Sequence, residues 1–215
     1  MTDYWEYRFS TEGVMWGFEP SDSALLAIDL FRSNGIKSVL IPGMGYGRNA
    51  ELFIKNGFAV TGIEISESAI KLAKEKGLDC EMYNGSVTEM PFDDSKYDGI
   101  FCYALIHVLN FSERKRFLRE CFKQLNVNGL MIFVVASTQN QMYGKGRPIG
   151  KNRFEISKGL KVFYYNDEAV ENEFSSYGII VDKIVEEPVR FMKGEDPVLL
   201  RYIVCKKQTI QTLIR

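Results

Sequence analysis

Val39-Leu40-Ile41-Pro42-Gly43-Met44-Gly45-Tyr46-Gly47-Arg48-Asn49-Ala50 is the stretch that decides the fold. An apolar run ends at a proline, three glycines alternate, and an amphipathic segment begins. Glycine lets the backbone turn through positive φ and lets a ligand lie against the main chain. A helix starting there adds free N–H donors and the positive end of its dipole. A dinucleotide fingerprint, G-x-G-x-x-G, would need its third glycine at position 48. Position 48 is Arg48 and the third glycine is Gly47, so the spacing is G-x-G-x-G. With no side chains in the way, a bulky ligand other than a phosphate can rest across such a loop.

Outward from the loop, short apolar runs alternate with amphipathic segments. Ser21 or Ser23 can cap a first helix with Leu26, Ala27 and Leu30 on one face. Ser38 to Ile41 reads as the first strand. Asn49 to Asn56 reads as a helix stopped by Gly57, and Ala59 to Ile63 as the second strand. Ser66 caps a helix that ends at Gly77. Cys80 to Tyr83 and Tyr97 to Tyr103 make two more strands, and Ser112 caps a helix carrying Phe117, Leu118, Cys121 and Leu125. Asn128-Gly129 turns that helix into the continuous apolar run Leu130 to Ala136, which suits a parallel strand buried on both faces. A helix over Asp167 to Tyr177 precedes two further strands, Ile179 to Glu186 and Leu199 to Lys206. Strands alternating with helices predict a three-layer α/β/α domain with right-handed crossovers. The sheet is predicted to be mostly parallel and seven-stranded, with an antiparallel last strand.

A chain of 215 residues predicts one domain, over 1–215, able to bury a full core without staples. Hydrophobic residues are 46% and charged residues 26%, which excludes wholesale disorder. Twenty-seven basic against 28 acidic residues leave a net charge of −1. That argues against an electrostatic grip on nucleic acid or anionic lipid. Cys80, Cys102, Cys121 and Cys205 lack C-x-x-C spacing and His107 is the only histidine, so no metal site is expected. Buried free thiols predict a reducing, cytoplasmic setting. No signal peptide and no membrane span are read in the sequence.

Two segments fall outside the rhythm. Residues 1–20 hold Tyr4, Trp5, Tyr7, Arg8, Phe9 and Trp16 and are read as a lid. Residues 137–165 are too long for an ordinary α/β connection. Within them Phe154 to Ser157 and Leu160 to Tyr164 flank Lys158-Gly159, which predicts a hairpin. Its place after the fifth strand, where open α/β sheets bind ligands, makes it a substrate lid.

Glu64 follows the second strand, 21 residues after Gly43. A carboxylate there can accept both hydroxyl protons of a ribose. Together, Gly43-x-Gly45-x-Gly47-Arg48-Asn49, Glu64, Asn84-Gly85-Ser86 after the third strand and Tyr97-Asp98 opening the fourth resemble the class I S-adenosylmethionine-dependent methyltransferases. The likeness runs from about Ser21 to Lys207. The Pro-Gly-x-Gly-x-Gly form is similar to the branch with thiopurine-type and tellurite-resistance-type enzymes. Tyr143-Gly144-x-Gly146 with Asn152-x-Phe154-Glu155 resembles a loop of small-molecule members.

The resemblance implies a Rossmann-like fold, S-adenosylmethionine as cofactor and a small-molecule acceptor. It implies that Gly43, Gly45, Gly47, Arg48 and Asn49 line the aminoacyl end, that Glu64 holds the ribose, and that Ile65, Ser86 and Val87 meet the adenine. Ser86 stands where the family often has an aspartate, and Ile41 where many members have an acidic residue. Tyr103 would sit near the methyl donor.

Methyl transfer from an activated donor mainly requires alignment, with a base only for a protonated acceptor. His107 follows the fourth strand and is a candidate base or substrate holder; alternatively it is a core histidine bound to a carbonyl. Tyr7, Trp16 and Tyr143 are candidate substrate contacts, and Tyr143 and Arg201 candidate catalytic groups. Arg147 and Arg153 could approach the same mouth, and Arg201 could bind an anionic group. Lys206-Lys207 reads as a solvated strand end. The alternatives are a non-catalytic nucleoside-binding protein and an NAD-type oxidoreductase, the latter disfavoured by Arg48. A monomer or homodimer is expected.

Overall fold

The computed structural model describes residues 2–189 and 196–208. Met1, 190–195 and 209–215, which belong to the single domain read over 1–215, lie outside the described residues. The elements run α1 Thr2–Glu12, α2 Asp22–Ser33, β1 Ser38–Pro42, α3 Arg48–Lys55, β2 Ala59–Glu64, α4 Glu67–Glu75, β3 Glu81–Asn84 and β4 Tyr97–Tyr103. They continue with α5 Phe111–Gln124, β5 Leu125–Ala136, β6 Arg147–Gly150, β7 Arg153–Ser157, β8 Leu160–Phe163, α6 Asp167–Phe174, β9 Ile179–Glu187 and β10 Val198–Lys206.

Seven strands form one sheet in the order β3-β2-β1-β4-β5-β10-β9. The ladders from β3 to β5 are parallel, while β10 is antiparallel to both of its neighbours. The last strand is thus antiparallel, as the sequence suggests, and it lodges between β5 and β9 rather than at an edge. One face packs Phe117, Leu118 and Cys121 of α5 and Phe174 of α6 onto Ile100, Cys102, Phe133 and Ile203. The other packs Ala24, Ala27, Ile28 and Phe31 of α2 and Phe53 of α3 onto Val39, Phe101, Ile132 and Val204. Each large side chain so buried contributes about 1.5–3 kcal/mol. The fold is therefore three layers around a mostly parallel, Rossmann-like sheet. Among the described residues no helix is long and apolar enough to cross a membrane.

Several local expectations change. The buried stripe of α2 is Ala24, Ala27, Ile28 and Phe31, and Leu26 is exposed. Asn110, not Ser112, caps α5, in a reciprocal box with Glu113. The strand β5 begins at Leu125, five residues before the predicted start, with Asn128 held at φ 66°. Lys207 is no solvated end: its Nζ donates to the carbonyls of Phe122 and Leu125, both at 2.7 Å. The aromatic N-terminal segment folds as the helix α1. The insertion forms three strands, β6-β7-β8, rather than a bare hairpin.

A buried ion pair joins two helices of the body where the insertion leaves it. Arg114 of α5 donates to Glu173 of α6 from Nε (3.0 Å) and from Nη2 (2.7 Å), with both side chains under 5% exposed. Tyr165 Oη also donates to Glu173 (2.9 Å), and the guanidinium lies 4.0 Å from the Phe163 ring centroid. Arg114 and Arg153 of β7 both donate to the Leu109 carbonyl. Removing one partner of such a pair strands a buried charge. Arg114→Ala is expected to lower unfolding stability by about 3–5 kcal/mol, read as a fall in the urea midpoint. The double variant Arg114→Met/Glu173→Leu should recover most of that loss, because no charge then remains buried alone.

Candidate active site

The glycine loop leaves β1 beside β2. Gly43 N–H (2.8 Å) and Met44 N–H (3.1 Å) both donate to the Ile63 carbonyl, so the loop starts tied to the neighbouring strand. Gly43, Gly45 and Gly47 all have positive φ, at 69°, 58° and 82°. Their missing side chains serve different ends. A Cβ on Gly43 would come 2.9 Å from Leu105, and one on Gly47 would come 2.4 Å from Leu78. At these two positions the chain's own packing takes the space that the sequence suggests is open. At Gly45 the nearest atom would be Phe9 Cζ, at an ordinary 3.7 Å.

Glu64 is the electrostatic centre of this edge. Its carboxylate is 5% exposed and lies within the fold, not in bulk water. Oε2 accepts from Gly45 N–H (2.8 Å), and Oε1 accepts from Ile65 N–H (2.9 Å) and Ser66 N–H (3.0 Å). Burial pushes this carboxyl above the usual carboxylate range; the three N–H groups oppose that shift and the nearby Glu6 adds to it. Each carboxylate oxygen can accept about two hydrogen bonds, so Oε2 keeps acceptor capacity. Beside it, α3 starts at Gly47 with no side-chain cap, whereas Ser21, Ser66, Asn110 and Asn166 cap α2, α4, α5 and α6. The first N–H groups of α3 are therefore available to a ligand carboxylate. Spare acceptor capacity on Oε2 and uncapped donors on α3 fit the diol and the aminoacyl end of S-adenosylmethionine.

Other residues singled out in the sequence are placed as follows. Asn49 is buried, and its Oδ1 accepts from Ser21 N–H (2.9 Å), pinning the start of α2. Arg48 donates to the Glu19 carbonyl (3.3 Å) and lies 5.4 Å from the Tyr103 ring centroid. Burial pushes the Tyr103 hydroxyl well above its usual range. Ser86 Oγ pairs with Thr88 Oγ1 (2.7 Å) and caps a 3₁₀ turn that buries Val87. Asn84 Nδ2 donates to the Glu64 carbonyl (3.1 Å), holding the third strand's exit against Glu64. Ile65 contributes its N–H to the carboxylate.

Helix α1 and the insertion meet. Tyr4 of α1 approaches Ser157 (Oη to Oγ 3.5 Å) and would contact a Cβ on Gly159 at the β7–β8 turn. Phe9, Tyr46 and Ala69 form a small core with Trp5 and Trp16 packed on it. Trp16 stacks on Tyr46 with ring centroids 6.4 Å apart. Tyr7 is 65% exposed and points away from that core. Tyr143 donates from Oη to Asn152 (2.9 Å) and packs edge-on against Phe154 and Tyr164, so it knits the insertion together. Arg147 pairs with Glu155 within the same sheet.

Two candidate catalytic groups are engaged elsewhere. Arg201 donates to both oxygens of Asp182 (2.6 and 2.5 Å) and to Asp167 (2.7 Å), so two carboxylates already neutralise it. It joins β9 to α6 and offers no free charge to an anionic substrate. His107 is 8% exposed, in a 3₁₀ turn after β4, and its Nδ1 accepts from Ala136 N–H (3.1 Å). The sequence suggests a carbonyl partner; a backbone N–H takes its place. That bond leaves the proton on Nε2, so the ring presents a donor there. Burial depresses its pKa to about 4.

Sequence reasoning missed Glu6. Its carboxylate accepts from Ser66 Oγ (2.7 Å), Ser68 Oγ (2.5 Å) and Ser68 N–H (3.2 Å). Ser66-x-Ser68 after Glu64 was a legible capping signal, but nothing in sequence pairs it with an acid 60 residues upstream.

Residues 40–133 match the model of a methyltransferase domain. That domain match and the Rossmann-like fold are what this chain shares with class I methyltransferases. A putative methyltransferase of Geobacillus sp. (strain WCH70) is 28% identical over 168 residues, covering 75% of this chain and 63% of that protein. The chain thus spans less than two thirds of the length of the curated relatives it matches. A Clostridium acetobutylicum S-adenosylmethionine-dependent methyltransferase superposes with a TM-score of 0.70 at 12% identity, covering 96% of this chain and 98% of that one. A Burkholderia thailandensis 1,6-didemethyltoxoflavin-N1-methyltransferase, solved with its substrate and S-adenosylhomocysteine, gives 0.69 at 14% identity, covering 95% and 84%.

The depressed pKa of His107 has a measurable consequence. Between about pH 6.5 and 4 the unfolded chain binds a proton at this side chain that the folded chain does not. Its contribution to stability is therefore complete above pH 6.5 and is lost as pH falls toward 4, by up to about 1.4 kcal/mol per pH unit. Stability measured by urea unfolding should fall less steeply over this window in His107→Gln than in the unsubstituted protein.

Proposed function

We propose that this chain is a methyltransferase that uses S-adenosylmethionine to methylate a small molecule. The observation that carries the reading is Glu64, a buried carboxylate with spare acceptor capacity beside the uncapped start of α3. When bound, S-adenosylmethionine supplies an activated methyl group that the acceptor displaces in line. Glu64 accepts from the ribose diol, with its orientation fixed beforehand by Gly45, Ile65 and Ser66. The glycine loop and the first turn of α3 hold the aminoacyl end, and Ile65, Ser86 and Val87 bound the adenine. Tyr103 and Leu105 shape the floor beneath the acceptor.

His107 acts as a hydrogen-bond donor through Nε2 rather than as a general base, since Ala136 occupies its other nitrogen. An acceptor that is soft or already ionised needs no base from this chain. The small-molecule assignment is supported by the approach of α1 to the β7–β8 turn, where Tyr4 meets Ser157. The balanced charge points the same way. The toxoflavin-precursor enzyme of similar fold acts on a small molecule, which is consistent with the reading.

Isothermal calorimetry tests the assignment. S-adenosylmethionine and S-adenosylhomocysteine are expected to bind and NAD is not. Glu64→Ala is expected to weaken both by about 1–3 kcal/mol, through loss of hydrogen bonds to a charged acceptor. Binding of NAD in place of the sulfonium nucleoside, or an unchanged dissociation constant in Glu64→Ala, would refute it.

A further inference from the structure

We infer that Glu6 is a positioning residue for the cofactor site: through Ser66 it couples the docking of α1 to the carboxylate of Glu64. The inference rests on the cofactor role proposed above for Glu64.

Ser66 is fully buried and faces both acids. Its N–H donates to Glu64 Oε1 (3.0 Å) and its Oγ donates to Glu6 Oε2 (2.7 Å). The same Oγ accepts from Ala69 N–H (3.1 Å) and so caps α4. One serine therefore fixes a helix start, one acid of the sheet edge and one acid of the lid. The second link runs through the glycine loop. Gly45 N–H donates to Glu64 Oε2, and Phe9, one turn beyond Glu6, lies against Gly45. Three backbone donors hold Glu64, and α1 presses on two of the residues that supply them, Gly45 and Ser66.

The physical consequence follows from the cost of burying charge. Glu64 keeps its orientation only while its donors hold position, since a buried carboxylate deprived of them is strongly disfavoured. With α1 displaced, Ser66 loses its partner acid and Gly45 loses its cover. Both are then free to relax away from Glu64. A ligand that binds Glu64 gains most when α1 is docked, and by linkage it must favour the docked state to the same degree.

The chain carries its own reporter. Both tryptophans, Trp5 and Trp16, sit in the α1 cluster, so intrinsic emission reads this region alone. The experiment titrates S-adenosylhomocysteine into the full chain and follows calorimetric heat and tryptophan emission, with melting curves alongside. In the unsubstituted protein the ligand is expected to bind and to shift the emission. Glu6→Ala should bind about tenfold more weakly, the loss of one or two hydrogen bonds to a charged group. Glu6→Gln should stay within about threefold of the unsubstituted protein, because its amide oxygen still accepts from Ser66 Oγ. Ser68→Ala, which trims the lid contact but spares Ser66, should bind within about twofold. Adding Glu6→Ala to Glu64→Ala should weaken binding no further, the mark of two residues acting through one another.

An unchanged dissociation constant in Glu6→Ala, with Glu64→Ala weakened, would overturn the coupling and leave the cofactor assignment standing. A Ser68→Ala defect equal to that of Glu6→Ala would overturn the route through Ser66. Failure of the unsubstituted protein to bind the ligand would remove the cofactor assignment and the coupling with it.

Discussion

A buried carboxylate must be solvated by the protein itself, and that requirement at Glu64 organises the functional edge of this molecule. Water contributes little at 5% exposure, so three main-chain N–H groups take its place. They come from two different loops. Gly45 belongs to the turn between β1 and α3, and Ile65 and Ser66 to the turn between β2 and α4. A single side chain thus sets the distance between two loops that diverge from neighbouring strands. Both loops shape the proposed ligand site, so its geometry is preorganised before any ligand arrives.

The two flanking segments extend the same logic outward. The helix α1 is held by an acid on the start of α4 and by aromatic packing on the glycine loop, which combines a directional contact with a non-directional one. The three-stranded insertion ends at Tyr165, which joins Arg114 and Glu173 in a satisfied buried network. Such a network specifies one arrangement because every alternative leaves a charge unpaired. Helix α1 and the insertion reach each other at Tyr4 and the β7–β8 turn.

The charged residues divide by whether their partners lie near them in sequence. In sequence Arg201 reads as available for a substrate, because its ion-pair acids, Asp167 and Asp182, are 34 and 19 residues away and carry no local signal. Asn49 and Arg48 follow the glycines, and each also ties down the segment before α2, a tie that no local pattern announces. His107 shows the same limit: its position after β4 was legible, but its protonation state depends on the N–H of Ala136, 29 residues on.

The sequence by itself determined the succession of strands and helices along the chain, the glycine turn, most of the helix starts and the acid next to β2. These rest on local rules: apolar runs for buried parallel strands, serine or asparagine for caps, glycine for positive φ. Only the tertiary structure decided that α1 is a helix, that the insertion has three strands, and which polar groups are spent on structure. Local periodicity could not reveal these, because α1 is amphipathic only relative to the loop it covers. An acid's or a base's partner is likewise chosen by proximity in space, which the chain acquires only when the sheet has formed.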